Sequence, residues 1–553
     1  MKKQNLLDQL NIELDGLEPG IKETIMYLFN LIESLSSRIR GLEEENQSLK
    51  DELNRLKGEQ GKPEIKPKNT SPENKDVSSE KERKKEKARK RKKKKEKIVI
   101  NRTEICPVDK SLLPSDAEFK GYKPVIVQDL KIETDNVEFQ KEVWYSPSEN
   151  KTYLASLPEG YEGEFGPTVK SLAVIMKNVC NMSEPKIIEF FHQFHIEISS
   201  GQVSNILIKD QDEFHDEKDA VMRAGIASGG HGQIDDTSAR VKGENWHTHI
   251  ISNELFTAYH TTAKKDRLSA LEALVNGNEL KYCLNQESLE LLDELEVAQK
   301  HIKELKKIES DKNYSRAEFD ALLVSHLPYL EKQKKVGSRI LEAAAIAWYH
   351  KGEDYPVVKT LLCDDAPQFK RLTEDLALCW IHEGRHYKKL RPVIPYNAHQ
   401  LEEFIEKYWS YYDKLLDYKM CPSAESAQLL WDEFDELFAT KTDYDALDDR
   451  ITKTKEKKEN LLLVLKYPQL PLHNNDAELG ARAQVRKRDV SLHTMTREGT
   501  QANDTFLTIV QTCKKLGVNT YQFIFDRISK KFQLPSLAEV IISKSVQNQS
   551  ILD

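Results

Sequence analysis

Seven cysteines are scattered through 553 residues, and no two of them stand in a CxxC spacing. An odd count without paired spacing argues against a disulfide framework or a zinc site and fits a reducing compartment. Also missing is any run approaching about eighteen uninterrupted apolar residues, and the opening MKKQNLLDQLNIEL lacks a signal-peptide core followed by a cleavage site. These absences predict a soluble, cytoplasmic chain with no membrane partner. Positive charge is short overall, with 83 Lys and Arg against 91 Asp and Glu for a net charge of −8. Taken alone, that discourages a nucleic-acid partner. Its distribution reverses the inference: residues 62–98 hold 17 Lys and Arg against 7 Asp and Glu, a local +10 that leaves −18 on the remainder. A like-charged block without apolar residues does not fold by itself and serves as an interaction arm. Such an arm grips phosphates irrespective of base sequence through counterion release; a plain solvated linker is the alternative. With 39% hydrophobic residues the chain can fill real cores, and its length suits roughly three or four domains.

The chain opens with a heptad repeat. Ile21, Leu28, Leu35, Leu42, Leu49 and Leu56 recur every seven residues, with Ile25, Ile32, Ile39, Asn46 and Leu53 at the complementary position. Leu at d with Ile at a favours a parallel two-stranded coiled coil, and the single Asn46 fixes its register. Residues 1–60 are therefore expected to build a homodimer or higher oligomer, with packing against the protein's own body as the alternative. Gly61, Pro63 and Pro67 end the repeat, and the basic arm fills 61–98. Over 99–160, KPVIVQDLKIET and VEFQKEVWYSP alternate as strands of a small β module; Cys106 has no cysteine three residues on, so no metal is expected there. Residues 161–215 read as short helices joined by tight turns, with Ser183 capping one and Ser199 or Ser200 the next. That pattern fits a helix-turn-helix in which Gln202, Ser204 and Asn205 face a DNA groove, with ordinary helical packing as the alternative.

Three acidic stretches carry the expected chemistry. IDDTSARV, Ile234–Val241, has an apolar lead-in to an acid pair and, followed by WHTHIIS and ELFTAYHTT, reads as an antiparallel meander whose first strand ends near a carboxylate. More than a hundred residues on, YPVVKTLLCDD is a continuous apolar run that also ends in an acid pair, as a buried parallel strand would. HNNDAELGAR suits a helix, with Glu478 and Arg482 four apart on one face. Two strand-borne aspartates and a helix-borne glutamate make a ribonuclease-H-like arrangement, in which carboxylates hold two divalent metals for attack on a phosphodiester. Hard Mg²⁺ (or Mn²⁺) suits such oxygen ligands. Surface acids are the alternative for either pair alone.

The core is thus expected in three parts, residues 216–275, 353–396 and 471–535, with a tail at 536–553. A helical insertion at 276–352 has the polarity of a solvated or partner-facing hairpin. A second, at 397–470, repeats aromatics such as Trp409, Tyr411 and Trp431 at helical spacing, as a core would. FKRLTEDLALCWIHEGRHYKKLRP reads as one amphipathic helix that packs Trp380 on the sheet and aims His382 and Arg385 at phosphate; a satisfied core histidine is the other reading. Arg482, Arg486, Lys487 and Arg488 put positive charge beside the acids, where a DNA backbone would be held.

The segments IDDTSARV, LLCDD, CWIHEGR, NNDAELGARAQVRKR and TIVQTCKKLGVNTYQFI resemble, in that order, those of the insertion-sequence-66 family of DDE transposases. The likeness runs from the heptad repeat to about Ser529. It implies an α+β or α/β multidomain protein with a ribonuclease-H-like catalytic core, helical insertions, an N-terminal parallel coiled coil, a zinc-ribbon-like module and a DNA-binding helical region. Carried over position by position, it implies Asp235, Asp364 and Glu478 as catalytic metal ligands. Asp236 and Asp365 are then neighbours, because adjacent strand side chains face opposite ways. Departures are the mostly absent zinc-ribbon cysteines, a 276–352 insertion larger than the family pattern, and Leu479 where an Arg usually follows the Glu. The implied function is a dimeric, Mg²⁺-dependent transposase that cleaves double-stranded DNA at transposon ends and joins the freed 3′ hydroxyls to target DNA. Helper proteins are further candidate partners, and association with the nucleoid would follow. A domesticated, catalytically silent DNA-binding dimer and a structure-selective nuclease of the same superfold are the alternatives.

Overall fold

Apolar residues every seven positions, with no proline between Pro19 and Leu56, produce one continuous helix, Pro19–Leu56, in the computed structural model, which describes residues 17–56, 98–114 and 117–552. The basic arm read over 61–98 lies, apart from Ile98, outside the described residues. Along the helix the heptad leucines stay open: Leu28 is 48% exposed and Leu49 60%. A face offset from that stripe is covered instead. Met26 and Phe29 bury against Ile394, with Ile25 and Ile32 at the edge of the cluster. Glu33, buried, accepts the backbone N–H groups of Val393 and Ile394, both at 2.8 Å.

Of the β module expected over 99–160, one hairpin forms among the described residues, β1 (Val143–Ser146) with β2 (Lys151–Leu154). KPVIVQDLKIET forms no strand, and its Val125, Val127 and Leu130 are exposed. Two four-residue strands offer too little apolar face to recruit a third. Next come three short helices, Pro167–Asn178, Glu184–His192 and Ser200–Ile208, and a longer one, Asp212–Ser228. Ser183 and Ser199 occupy the N-cap positions of the second and third.

The meander follows as read: β3 (Gly232–Val241), β4 (Glu244–Ser252) and β5 (Thr257–Thr262) pair antiparallel. Two-residue strands β6 (Tyr282–Cys283) and β7 (Asn313–Tyr314) form a separate ladder inside the first insertion. β8 (Thr360–Cys363), buried throughout, joins β3 in parallel, and β9 (Asp375–Leu378) joins β8 in parallel. The result is a mixed α/β fold around a mixed five-stranded sheet of order β5-β4-β3-β8-β9. β9 corrects the single helix read over FKRLTEDLALCWIHEGRHYKKLRP, since the helix begins only at Trp380. Four residues carry no periodicity of their own, and the free edge of β8 decides their conformation.

The first insertion is not a solvated hairpin. Its Lys334–His350 helix buries Ile340, Trp348, Tyr349 and the alanines between them, because AAAIAW is apolar all round and such a helix must be covered. In the second insertion the Pro395–Met420 and Ala424–Leu437 helices close over Trp380, whose ring lies 5.5 Å from Tyr408 and 6.3 Å from Phe434. The Asn475–Ser491 helix then crosses β3 and β4, and the Arg497–Leu516 helix lies along β5. Among the described residues no helix is long and apolar enough to cross a membrane.

Candidate active site

Register decides where the acids meet. β3 and β8 pair at Gly232↔Leu361 and Gln233↔Leu362. Two residues further along each strand, and so on the same face, stand Asp235 and Asp364. Asp364 stands just past the carboxyl end of β8, where open α/β sheets place their ligands. Asp235 is not at a strand end, because β3 runs on to Val241, but it lies just beyond the stretch of β3 that pairs with β8.

Glu478 is delivered from the Asn475–Ser491 helix, whose start is pinned to β3. Asn474 Nδ2 donates to the carbonyl of Ile234 at 2.8 Å. Gln233 Nε2 donates to Asp476 Oδ2 at 3.1 Å, and the Asp476 N–H returns to Gln233 Oε1 at 3.0 Å. The two residues just before Asp235 are therefore bonded to the turn that carries Glu478. Further along, a Cβ on Gly480 would meet Ile250 Cγ2 at 2.7 Å, and its carbonyl accepts from the Tyr259 hydroxyl at 3.0 Å. Gly480→Ala should accordingly lower stability by about 1–3 kcal/mol through overpacking, read as a lower Tm; an unchanged melt would mean that the helix has room to rise.

The carboxylates are gathered against their electrostatic preference. Burial pushes Asp235 up to about 7, reinforced by Asp364, Asp236 and Glu478, while a single backbone N–H from Asp236 opposes it. Burial likewise raises Asp364, with Asp236 adding to the shift and His382 and Lys265 resisting it. His382 Nε2 lies 3.7 Å from Glu478 Oε1, and Arg385 lies 3.5 Å from Glu478 Oε2. Arg385 also donates to His382 Nε2 at 3.0 Å, which assigns the imidazole proton to Nδ1. Burial lowers His382, and Arg385 helps, against the pull of Glu478 and Asp364.

The paired acids have another role, one that the sequence does not reveal. Asp236 accepts from Lys265 at 2.6 Å and from Gln368 at 2.8 Å, tying down the loops after β5 and β8. Asp365 accepts from Lys370 at 2.9 Å and Lys457 at 2.7 Å. Lys457 also reaches Glu383 at 3.0 Å, and that buried carboxylate takes Arg450 and Thr454 besides. Burial works to raise both groups, yet these partners hold Asp365 and Glu383 below the usual range. Asp365 follows Asp364 and Glu383 follows His382. One ammonium from the second insertion thus clamps the end of β8 to the helix bearing His382. Lys457 and Lys265 sit in no motif, so only tertiary placement exposes them.

The expected DNA contacts divide. Arg482 and Arg486 are exposed on the Glu478 helix. Lys487 is not: it is 3% exposed and donates to Asn178 Oδ1 at 2.5 Å. At about 100° per residue it stands opposite Glu478 on the helix, turned toward the protein. Arg488 donates to the Ser238 carbonyl and, at 2.6 Å, to its hydroxyl. Gln202 is engaged too, in a capping box with Ser199 and on Glu164 at 2.5 Å. Asn205 is exposed. These positions correct the picture of Lys487, Arg488 and Gln202 as free surface contacts.

Among the described residues no three His, Cys, Asp or Glu side chains already stand in ligating geometry. The donor chemistry nevertheless fits a hard divalent cation: Asp364 and Glu478 lie near enough to Asp235 to raise it by like charge, burial raises both Asp235 and Asp364, and Asp235 has no ion-pair partner among the described residues.

A model of the Transposase IS66 family matches residues 340–502, a span containing β8, Asp364, His382 and Glu478. The chain belongs to the IS66 family of transposases. This IS66-family chain is also 31% identical over 334 residues to the "Uncharacterized protein y4jO" of Sinorhizobium fredii (strain NBRC 101917 / NGR234), covering 59% of itself and 100% of that protein. Asp235 lies ahead of the family match, so its place in the site of this IS66-family protein rests on the β3–β8 register.

Proposed function

We propose that this IS66-family protein is a DNA transposase with a ribonuclease-H-like core, in which Asp235, Asp364 and Glu478 hold Mg²⁺ or Mn²⁺. The observation that carries the reading is the in-register approach of Asp235 and Asp364 on neighbouring strands, beneath a helix whose Asn474 and Asp476 are bonded to the residues just before Asp235. Two such cations, when bound, activate a water or 3′ hydroxyl and stabilise the leaving oxygen of a phosphodiester. The chain's own contribution is position and charge. Its carboxylates supply oxygen donors from two strands and a helix, and the Lys457 clamp fixes the strand end that bears Asp364. Arg385 holds Glu478 and is placed to turn its guanidinium onto a DNA phosphate; Arg482 and Arg486 extend that positive face along the helix. DNA being the substrate, the bacterial nucleoid is where the protein would act. Incubation with transposon-end DNA and Mg²⁺ tests the reading. Cleavage followed by strand-joined products supports it, cleavage without joining makes the protein a structure-selective nuclease, and binding without cleavage leaves a silent DNA-binding dimer.

We infer further that two copies pair through the N-terminal helix: Ile25 and Ile32 of the heptad lie at the edge of the face that holds the body, but the leucines from Leu28 to Leu49 and, further along, Ile39 and Leu53 are open. Leu35→Glu combined with Leu42→Glu should convert the dimer to a monomer in light scattering without changing the melt of the body. A dimer that survives both charges would place the interface elsewhere.

A further inference from the structure

A second chemically distinctive place lies away from the acids. A cavity of about 250 Å³ opens where the Pro167–Asn178 and Ser200–Ile208 helices meet the end of β3, the last turns of the Glu478 helix and the start of the Arg497–Leu516 helix. Lys177, Arg240, Lys487 and Arg488 line it, and the one carboxylate among the lining residues, Glu184, is paired with Lys177 at 3.1 Å. Arg240 has no acidic partner among the described residues.

Lys487 is the unusual member. Its buried ammonium has three donors, and the hydrogen bond it makes is to a neutral amide, Asn178 Oδ1. A buried charge is ordinarily matched by an opposite one. Here Lys177 repels it, and Asp504 attracts it only through space. The wall of the cavity is built rather than loose. Residues 492–496 are laid along β3 by Lys242 N–H to Thr494 O at 2.7 Å and Thr494 N–H to Arg240 O at 3.2 Å. Leu492 in that segment holds φ 61°, ψ −69°, a strained backbone for a branched side chain. Thr496 caps the 20-residue helix that follows, whose N-terminus adds partial positive charge.

We propose that this cavity is a phosphate-binding site, with Lys487 and Arg240 as its principal donors. A phosphate oxygen would supply the counter-charge that Asn178 cannot. Lys487 stands nine residues beyond Glu478, about 14 Å along the helix, or about four base-pair rises of duplex DNA. Because Lys487 is on the opposite side of that helix from Glu478, DNA lying over the acids does not itself reach it; a backbone phosphate of DNA that passes the cavity mouth beside exposed Arg240 is one source of the ligand, and a soluble phosphate compound is the other. The site itself does not rest on the transposase reading, because it is tested without Mg²⁺ and without cleavage.

The experiment uses the full chain. Inorganic phosphate, compared with chloride at equal ionic strength, should raise the Tm of the parent protein. Arg240→Ala, a change at an exposed position, should weaken half-saturation by about tenfold, the loss of one charge-assisted hydrogen bond. Lys487→Met should abolish the phosphate-dependent shift; Met preserves most of the buried volume, and Arg240→Ala keeps the test decisive if the Met protein folds poorly. Competition identifies the source. If duplex DNA displaces phosphate, and Arg240→Ala also weakens DNA binding, the ligand is a DNA phosphate. If the two bind independently, it is a soluble phosphate compound. Both outcomes support the site. No phosphate-dependent shift in the parent, or an equal shift in both variants, overturns it.

Discussion

An Asp364→Asn protein should lose DNA strand cleavage by about 10³-fold or more while binding DNA as well as its parent. Metal-assisted phosphoryl transfer draws several kcal/mol of transition-state stabilisation from correctly held cations, and each 1.36 kcal/mol is about tenfold in rate. The amide keeps the size of the side chain and an oxygen that can still accept the Ala366 N–H, found at 3.3 Å, but it is a poorer donor to a hard cation. Because burial and like charge already raise Asp364, neutralising it should leave the apoprotein's melt unchanged or higher. A gel assay on end-bearing DNA, run beside a thermal melt, separates lost chemistry from lost fold. Asp365→Asn is the informative control. It removes an acceptor from the Lys457 clamp without touching a proposed ligand, and indirect support of this kind is worth about 10–100-fold. Undiminished cleavage by Asp364→Asn would remove that residue from the site.

Lys487→Met should make the protein more stable at neutral pH, the reverse of the usual result for a buried substitution. Burial, with Lys177 adding to it and Asp504 opposing it, takes Lys487 from its ordinary 10.5 to about 7. Between those values the unfolded chain binds more protons than the folded one. Stability from this group therefore rises as pH climbs from about 7 toward 10, and the full penalty is felt below 7. At pH 7 that penalty is at most about 4 kcal/mol, offset in the variant by about 1–3 kcal/mol for leaving Asn178 Oδ1 without its donor. Denaturant melts across that window should show a higher midpoint near pH 6 and a flatter dependence up to pH 10. A variant that keeps the parent's slope would show that Lys487 is not the group responsible.

The parts of the fold that could be read from sequence are those where one local pattern decides the outcome. The meander was legible because WHTHIIS and ELFTAYHTT are short segments of aromatic and β-branched residues, and β8 because a strand buried on both faces continues an apolar run. The Glu478 helix was legible because its stretch shows no alternation and Ala477, Glu478, Ala481, Arg482 and Ala483 are residues that suit a helix. What stayed hidden depends on neighbours. DLAL becomes a strand because β8 offers an edge, and KPVIVQDLKIET does not because nothing offers one. A lysine at 487 reads as one more cation in a basic run until the helix is docked and its azimuth is known. Lys457 gains meaning only when Asp365 and Glu383, eighteen residues apart in sequence, are found on either side of it.

The N-terminal helix is 38 residues long, about 57 Å at 1.5 Å per residue. Its hold on the body ends near Arg40, which donates to the Arg391 carbonyl at 3.0 Å, and the remaining turns carry their leucines outward. If two copies pair as proposed, a rod fastened at one end and zipped to its twin along the other would act as a ruler between the two proposed cleavage centres. The spacing of paired cuts would then be written in heptads: inserting seven residues beyond Gly41 would lengthen the arm, whereas inserting four would also swing the leucines away from their twin.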